Sequence, residues 1–72
     1  MTHVSHTYKY RNATDNATIF IERYSDLYVW GWSDYCWRVC VHKDGAPWST
    51  IVKDNLKNKP KNKRIQKYIE EL

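Results

Sequence analysis

Residues 19–41 read IFIERYSDLYVWGWSDYCWRVCV. β-Branched and aromatic residues alternate here with polar ones at a period of two, the pattern of half-buried strands. Two Ser-Asp pairs, Ser25-Asp26 and Ser33-Asp34, interrupt the pattern. Serine and aspartate side chains bond their own backbone in tight turns, so each pair predicts a two-residue hairpin loop. Downstream, Asp44-Gly45 is the strongest turn signal in the chain. Upstream, residues 12–16 are a cluster of turn formers, preceded by Tyr8 and Tyr10 alternating with Thr7, Lys9 and Arg11.

These turns predict a register. The first pairs Tyr24 with Leu27 and Glu22 with Val29. The second pairs Trp32 with Tyr35, Trp30 with Trp37 and Tyr28 with Val39. The third pairs Val41 with Trp48, Val39 with Thr50 and Trp37 with Val52. Paired residues share a face. One face is then expected to hold Ile19, Ile21, Tyr28, Trp30, Trp32, Tyr35, Trp37, Val39, Val41, Trp48 and Val52, with all four tryptophans among them. The other is mixed: Phe20, Glu22, Tyr24, Leu27, Val29, Gly31, Cys36, Arg38 and Cys40, with Glu22 and Arg38 reaching toward each other over Val29. Pro47 lacks an N–H for a ladder, which places its strand at an edge.

Toward the C-terminus the period changes. Ile65, Tyr68, Ile69 and Leu72 recur at i, i+3, i+4 and i+7, an amphipathic helix. Asn58 or Asn62 can cap it, and Pro60 suits a first turn. Residues 49–56 read equally as strand end or helix start. The expected fold is therefore α+β: an antiparallel β-meander of four to five strands over about residues 5–52, a basic linker over 53–60, and one C-terminal amphipathic α-helix over about 61–72 packed on the aromatic face. With 72 residues there is room for one domain.

At 42% hydrophobic and 15% aromatic, the composition is that of a globular chain and excludes disorder. No apolar run approaches the ~20 residues of a membrane span, and no charged-then-apolar leader opens the chain, so a cytoplasmic protein away from membranes is expected. On one strand Cys36 and Cys40 lie about 13 Å apart. That is too far for a disulfide or a shared zinc ion, and both read as free thiols. His3, His6 and His42 complete no ligand spacing. Asn12 and Asn16 begin Asn-X-Thr triplets but read as turn residues. There is no glycine-rich phosphate loop, nucleophile elbow or carboxylate pair on one face. No catalytic, metal-binding or cofactor-binding residues are therefore expected.

Charge is the most informative feature. Residues 1–42 carry four bases and four acids, whereas 43–72 carry eight bases and four acids, the whole net excess of +4. Lys53, Lys57, Lys59, Lys61, Lys63, Arg64 and Lys67 crowd one segment against a single acid, Asp54. Lys59, Lys61, Lys63 and Arg64 sit at the positive end of the predicted helix and Glu70 and Glu71 at the negative end, which disfavours the helix. An anionic partner would offset that cost.

The expected function is binding without catalysis. The basic segment would meet phosphates or an acidic protein surface, and Phe20, Glu22, Tyr24, Leu27, Val29 and Arg38 would form a protein interface. Small phage and mobile-element proteins of this type often block host nucleic-acid-handling complexes, such as CRISPR complexes or restriction enzymes. An inhibitor that occludes a protein or nucleoprotein partner is thus the first expectation. Direct DNA or RNA binding through residues 57–67 is the alternative, ranked second because the register leaves few aromatics free to stack on bases. An open sheet edge would also admit a second copy of the chain.

Overall fold

The computed structural model describes Met1–Leu72. Five strands come first: β1 (Thr2–Asn12), β2 (Ala17–Tyr28), β3 (Gly31–Trp32), β4 (Cys36–Lys43) and β5 (Thr50–Leu56). One α-helical turn follows, α1 (Asn62–Ile65), continued by a 3-10 helix (Gln66–Glu71). All strand pairings are antiparallel, in the order β1-β2-β4-β5, with β3 also paired to β2. This is the expected α+β meander. Residues 50–56 are strand, so the link to the helix is shorter than expected and the last strand longer.

The turns fall differently. β2 runs straight through Ser25-Asp26. The Ser25 hydroxyl donates to the Ser33 carbonyl at 2.6 Å, the Asp26 N–H donates to the Ser33 hydroxyl at 2.9 Å, and the Ser33 N–H donates to the Asp26 carbonyl at 2.8 Å. The two Ser-Asp pairs thus satisfy each other across one ladder, and neither closes a turn of its own. The chain reverses instead at Val29-Trp30, between paired Tyr28 and Gly31. Gly31 has φ +124°, a conformation that side-chain-bearing residues rarely adopt. The return strand pairs Trp32 with Leu27 and then Cys36 with Tyr24, so residues 33–35 face two residues of β2. β3 and β4 are two parts of one strand separated by a one-residue bulge.

Asp44-Gly45 does turn, with Ala46 N–H donating to the Lys43 carbonyl at 3.0 Å. The connection nevertheless continues to residue 49, leaving Pro47 and Trp48 outside any strand. The β4–β5 register is Val41 with Thr50, Val39 with Lys53 and Trp37 with Leu56, not the one the two-residue loop predicted. At the same end, the Arg11 guanidinium grips Asp44 with bonds of 2.7 and 2.6 Å and holds its carboxyl below the usual range.

The core is aliphatic. Ala17, Ile19, Ile21, Val39 and Val41 of the sheet cluster with Ile65, Tyr68 and Ile69 of the C-terminal segment. Trp37 borders this cluster. The other tryptophans, expected within it, are 73% (Trp30), 49% (Trp32) and 75% (Trp48) exposed. Trp48 is exposed because it lies in the 44–49 loop, outside the ladder; for Trp30 and Trp32 the cause is length. Four α-helical and six 3-10 residues cover about 18 Å, whereas the twelve residues of β2 extend about 40 Å. The helical segment roofs the Ala17 end and leaves the Tyr28 end bare. The molecule is elongated, 44 × 27 × 18 Å. No helix is long and apolar enough to cross a membrane.

Candidate functional site

The bare half of the helix-side face is where chemistry-bearing residues gather. Along β1, Tyr8 pairs with Ile21, His6 with Arg23 and His3 with Ser25. His3 and His6 are three apart and would normally point oppositely, but a bulge between Val4 and His6 brings both to this face. From β4, Trp37 pairs with Arg23, and from β3, Trp32 pairs with Leu27. The rings form a run: His6 and Tyr8 centroids lie 6.3 Å apart, Tyr8 and Trp37 6.2 Å, and His3 meets Trp32 edge-on at 6.1 Å. Two cations are laid on it. Lys59 Nζ sits 3.9 Å from the Tyr8 centroid, and the Arg23 guanidinium 3.8 Å from that of Tyr35. Such contacts contribute about 0.5–1 kcal/mol each at exposed sites, enough to order the side chains without locking them. At the far end His3, Ser25, Trp32, Ser33 and Tyr35 line an open recess of about 420 Å³.

The basic segment adjoins this run. Pro60 is buried and anchors the link from β5, while Lys57, Lys59, Lys61, Lys63, Arg64 and Lys67 are all exposed. Of the seven expected cations only Lys53 has a carboxylate, pairing with Glu71 at 3.4 Å. Lys59, Lys61, Lys63 and Arg64 line one open cleft of about 500 Å³ that contains no acid. The neighbouring cleft, where Lys53, Arg64 and Lys67 meet Glu70 and Glu71, is electrostatically mixed.

The expected protein interface is only partly assembled. Phe20, Glu22 and Tyr24 alternate along β2 and pair with Cys40, Arg38 and Cys36, so all share the face away from the helix. Glu22 meets Arg38 directly at 3.6 Å with no strand between. Leu27 and Val29 do not join them. Leu27 is one residue out of phase and pairs with Trp32 on the opposite face, and Val29 is fully exposed at the hairpin tip. Both misplacements follow from the absent turn at Ser25-Asp26. On this face Tyr24 and Cys40 are buried, and Phe20, Glu22, Cys36 and Arg38 are half-buried.

Its groups interlock. Arg38 lies 4.6 Å over the Tyr24 ring, and the Tyr24 hydroxyl donates to Asp54 Oδ1 at 2.5 Å. Arg38 Nε is buried without a partner. Burial, with Asp54 next in effect, raises the Tyr24 hydroxyl to about 12. Burial, with Glu22 next, raises the Cys40 thiol to about 11. A thiol held protonated at neutral pH is no nucleophile. Cys36 and Cys40 are both free. No three His, Cys, Asp or Glu side chains gather closely enough to hold a metal ion.

The aromatic run was not foreseen, because the register placed its rings in the core. A signal for it existed in the sequence. A helix of at most twelve residues cannot roof strands of this length, so some large rings had to remain outside. No protein family, curated protein or solved structure matches the chain, and the functional reading rests on this geometry alone.

Proposed function

We propose that the chain is a non-catalytic nucleic-acid-binding protein that holds phosphates on its basic segment. The observation that carries this reading is the acid-free cleft of Lys59, Lys61, Lys63 and Arg64. The chain spends acids on Arg11, Arg38 and Lys53 but none on these four cations. Unpaired, clustered and exposed cations are suited to a polyanion. Exposed aromatic rings favour direct binding over occlusion of a protein. Tyr8, Trp32 and Tyr35 are 37–49% exposed beside the cations, the combination that single-strand binders use.

A second reading keeps the occluding inhibitor, with a nucleic-acid-handling protein or nucleoprotein as partner. The half-buried Phe20, Glu22 and Arg38 of the face away from the helix, with the unpartnered Arg38 Nε, favour it. The test of the first reading is fluorescence anisotropy of labelled single-stranded DNA, RNA and duplex DNA at ~50 and ~200 mM salt. The reading expects micromolar or tighter binding that weakens steeply with salt. Absence of binding to all three at micromolar protein overturns it. A Phe20→Ala variant, at a half-buried position and checked as folded by circular dichroism, separates the two readings, since it should weaken a protein partner and leave bare nucleic acid unaffected.

A further inference from the structure

We infer that the open recess formed by His3, Ser25, Trp32, Ser33 and Tyr35 receives an unpaired nucleobase of a single strand. The inference rests on the nucleic-acid reading above and adds to it a site and a preference for single strands.

Trp32, 49% exposed, offers a planar heterocycle a face to stack on, with His3 edge-on to it at 6.1 Å and Tyr35, one face of which carries Arg23, completing the wall. The recess, at about 420 Å³, is large enough for one base and open enough to leave the sugar outside. A hydrogen-bonding group is available within it. The Ser33 hydroxyl accepts from the Asp26 N–H at 2.9 Å and otherwise makes only a 3.4 Å contact with Ser25 Oγ, so its own proton can turn to a base acceptor. No carboxylate lines the recess, and the nearby Asp26 carboxylate is engaged by the Thr2 hydroxyl at 2.6 Å.

The surroundings suit the rest of a strand. Arg23, stacked on Tyr35, stands at the rim. Tyr8, with Lys59 over it, pairs with Ile21, four residues along β2 from Ser25, or about 13 Å. Lys59 belongs to the basic cleft as well. A backbone can therefore pass from recess to cleft meeting a cation at each stage. Bases in a duplex face inward and cannot enter, so single strands are favoured.

The test uses the full chain and three labelled probes: a thymidine oligomer, an abasic oligomer of equal length, and a duplex. The unaltered protein should prefer the thymidine oligomer. Trp32→Ala should lower its affinity by about 5- to 150-fold, the range for losing one stacked base, and leave the abasic oligomer unchanged. Trp32→Phe should restore most of the loss, and Trp48→Ala, exposed in the 44–49 loop, should cost nothing. Circular dichroism checks that each variant is folded. Equal binding of thymidine and abasic oligomers, insensitive to Trp32→Ala, overturns the recess as a base site and leaves the phosphate reading standing. Failure of both oligomers to bind overturns the two together.

Discussion

Neutralising Lys61, Lys63 and Arg64 together, as K61Q/K63Q/R64Q, should halve the salt dependence of single-strand binding. Six cations of the basic segment lack a carboxylate, because Lys53 is held by Glu71. Each phosphate neutralised on a single strand contributes a slope of about −0.7 in log affinity against log salt. Six contacts give a slope of about −4, or an affinity loss of about 300-fold between ~50 and ~200 mM salt. Three remaining contacts give about −2, or about 20-fold over the same range. All three side chains are exposed, and removing positive charge near the start of α1 relieves an unfavourable placement, so the fold should be unharmed. The assay is anisotropy of a labelled single strand at four or more salt concentrations, with circular dichroism as the folding control. A slope unchanged in the folded variant would refute the assignment of these cations to phosphates, and a flat slope in the unaltered protein would refute phosphate contacts altogether.

Other consequences concern the fold. Ile21→Ala, at a fully buried position, should cost about 2–5 kcal/mol; for a domain of this size that lowers the melting temperature by roughly 8 °C or more, read by thermal circular dichroism. Trp30→Ser and Trp48→Ser should each stay within about 0.5 kcal/mol of the unaltered protein, and a loss above about 2 kcal/mol would return these rings to a core. Ser25→Ala removes the hydroxyl bonded to the Ser33 carbonyl and should cost about 1–3 kcal/mol, seen as a shifted urea midpoint. Alkaline pH should destabilise the fold. Cys40 and Tyr24 are both raised in the folded chain, from 9.0 to about 11 and from 10.0 to about 12. The unfolded chain therefore ionises first, and stability present below pH 9 falls through these two windows. Cys40→Ala should flatten the first part of that loss, and an unchanged profile would show that the thiol does not contribute.

Much of the architecture was legible in residues 19–41. Ile19, Ile21, Trp37, Val39 and Val41 share a face as their period predicts, and Ile65, Tyr68 and Ile69 join them as their helical spacing predicts. The error was local and had wide effects. Ser25-Asp26 has good turn chemistry, yet its groups find better partners in Ser33 across the ladder than in their own backbone. Nothing in the sequence ranks a long-range satisfaction against a local one. Once that turn is lost, Leu27 changes face, Val29 becomes a tip, and Tyr28, Trp30 and Trp32 leave the core. The cations of the candidate site were legible, because charge clustering needs no register. The aromatic run was legible only in part: a helix of at most twelve residues implies that some rings stay outside, whereas which rings line up depends on the bulges at Val4/His6 and at 33–35.

Nucleic-acid binding on the helix-side face is read directly by a 1H–15N titration of the full chain with a single-stranded thymidine oligomer. The largest shifts should fall on the backbone of residues 57–64, on Arg23 and residues 32–35, and on the indole N–H signals of Trp32 and Trp37, while Phe20, Cys40 and Ile51 on the opposite face stay put. Shifts confined to that opposite face, or no shifts at saturating oligomer, would contradict it.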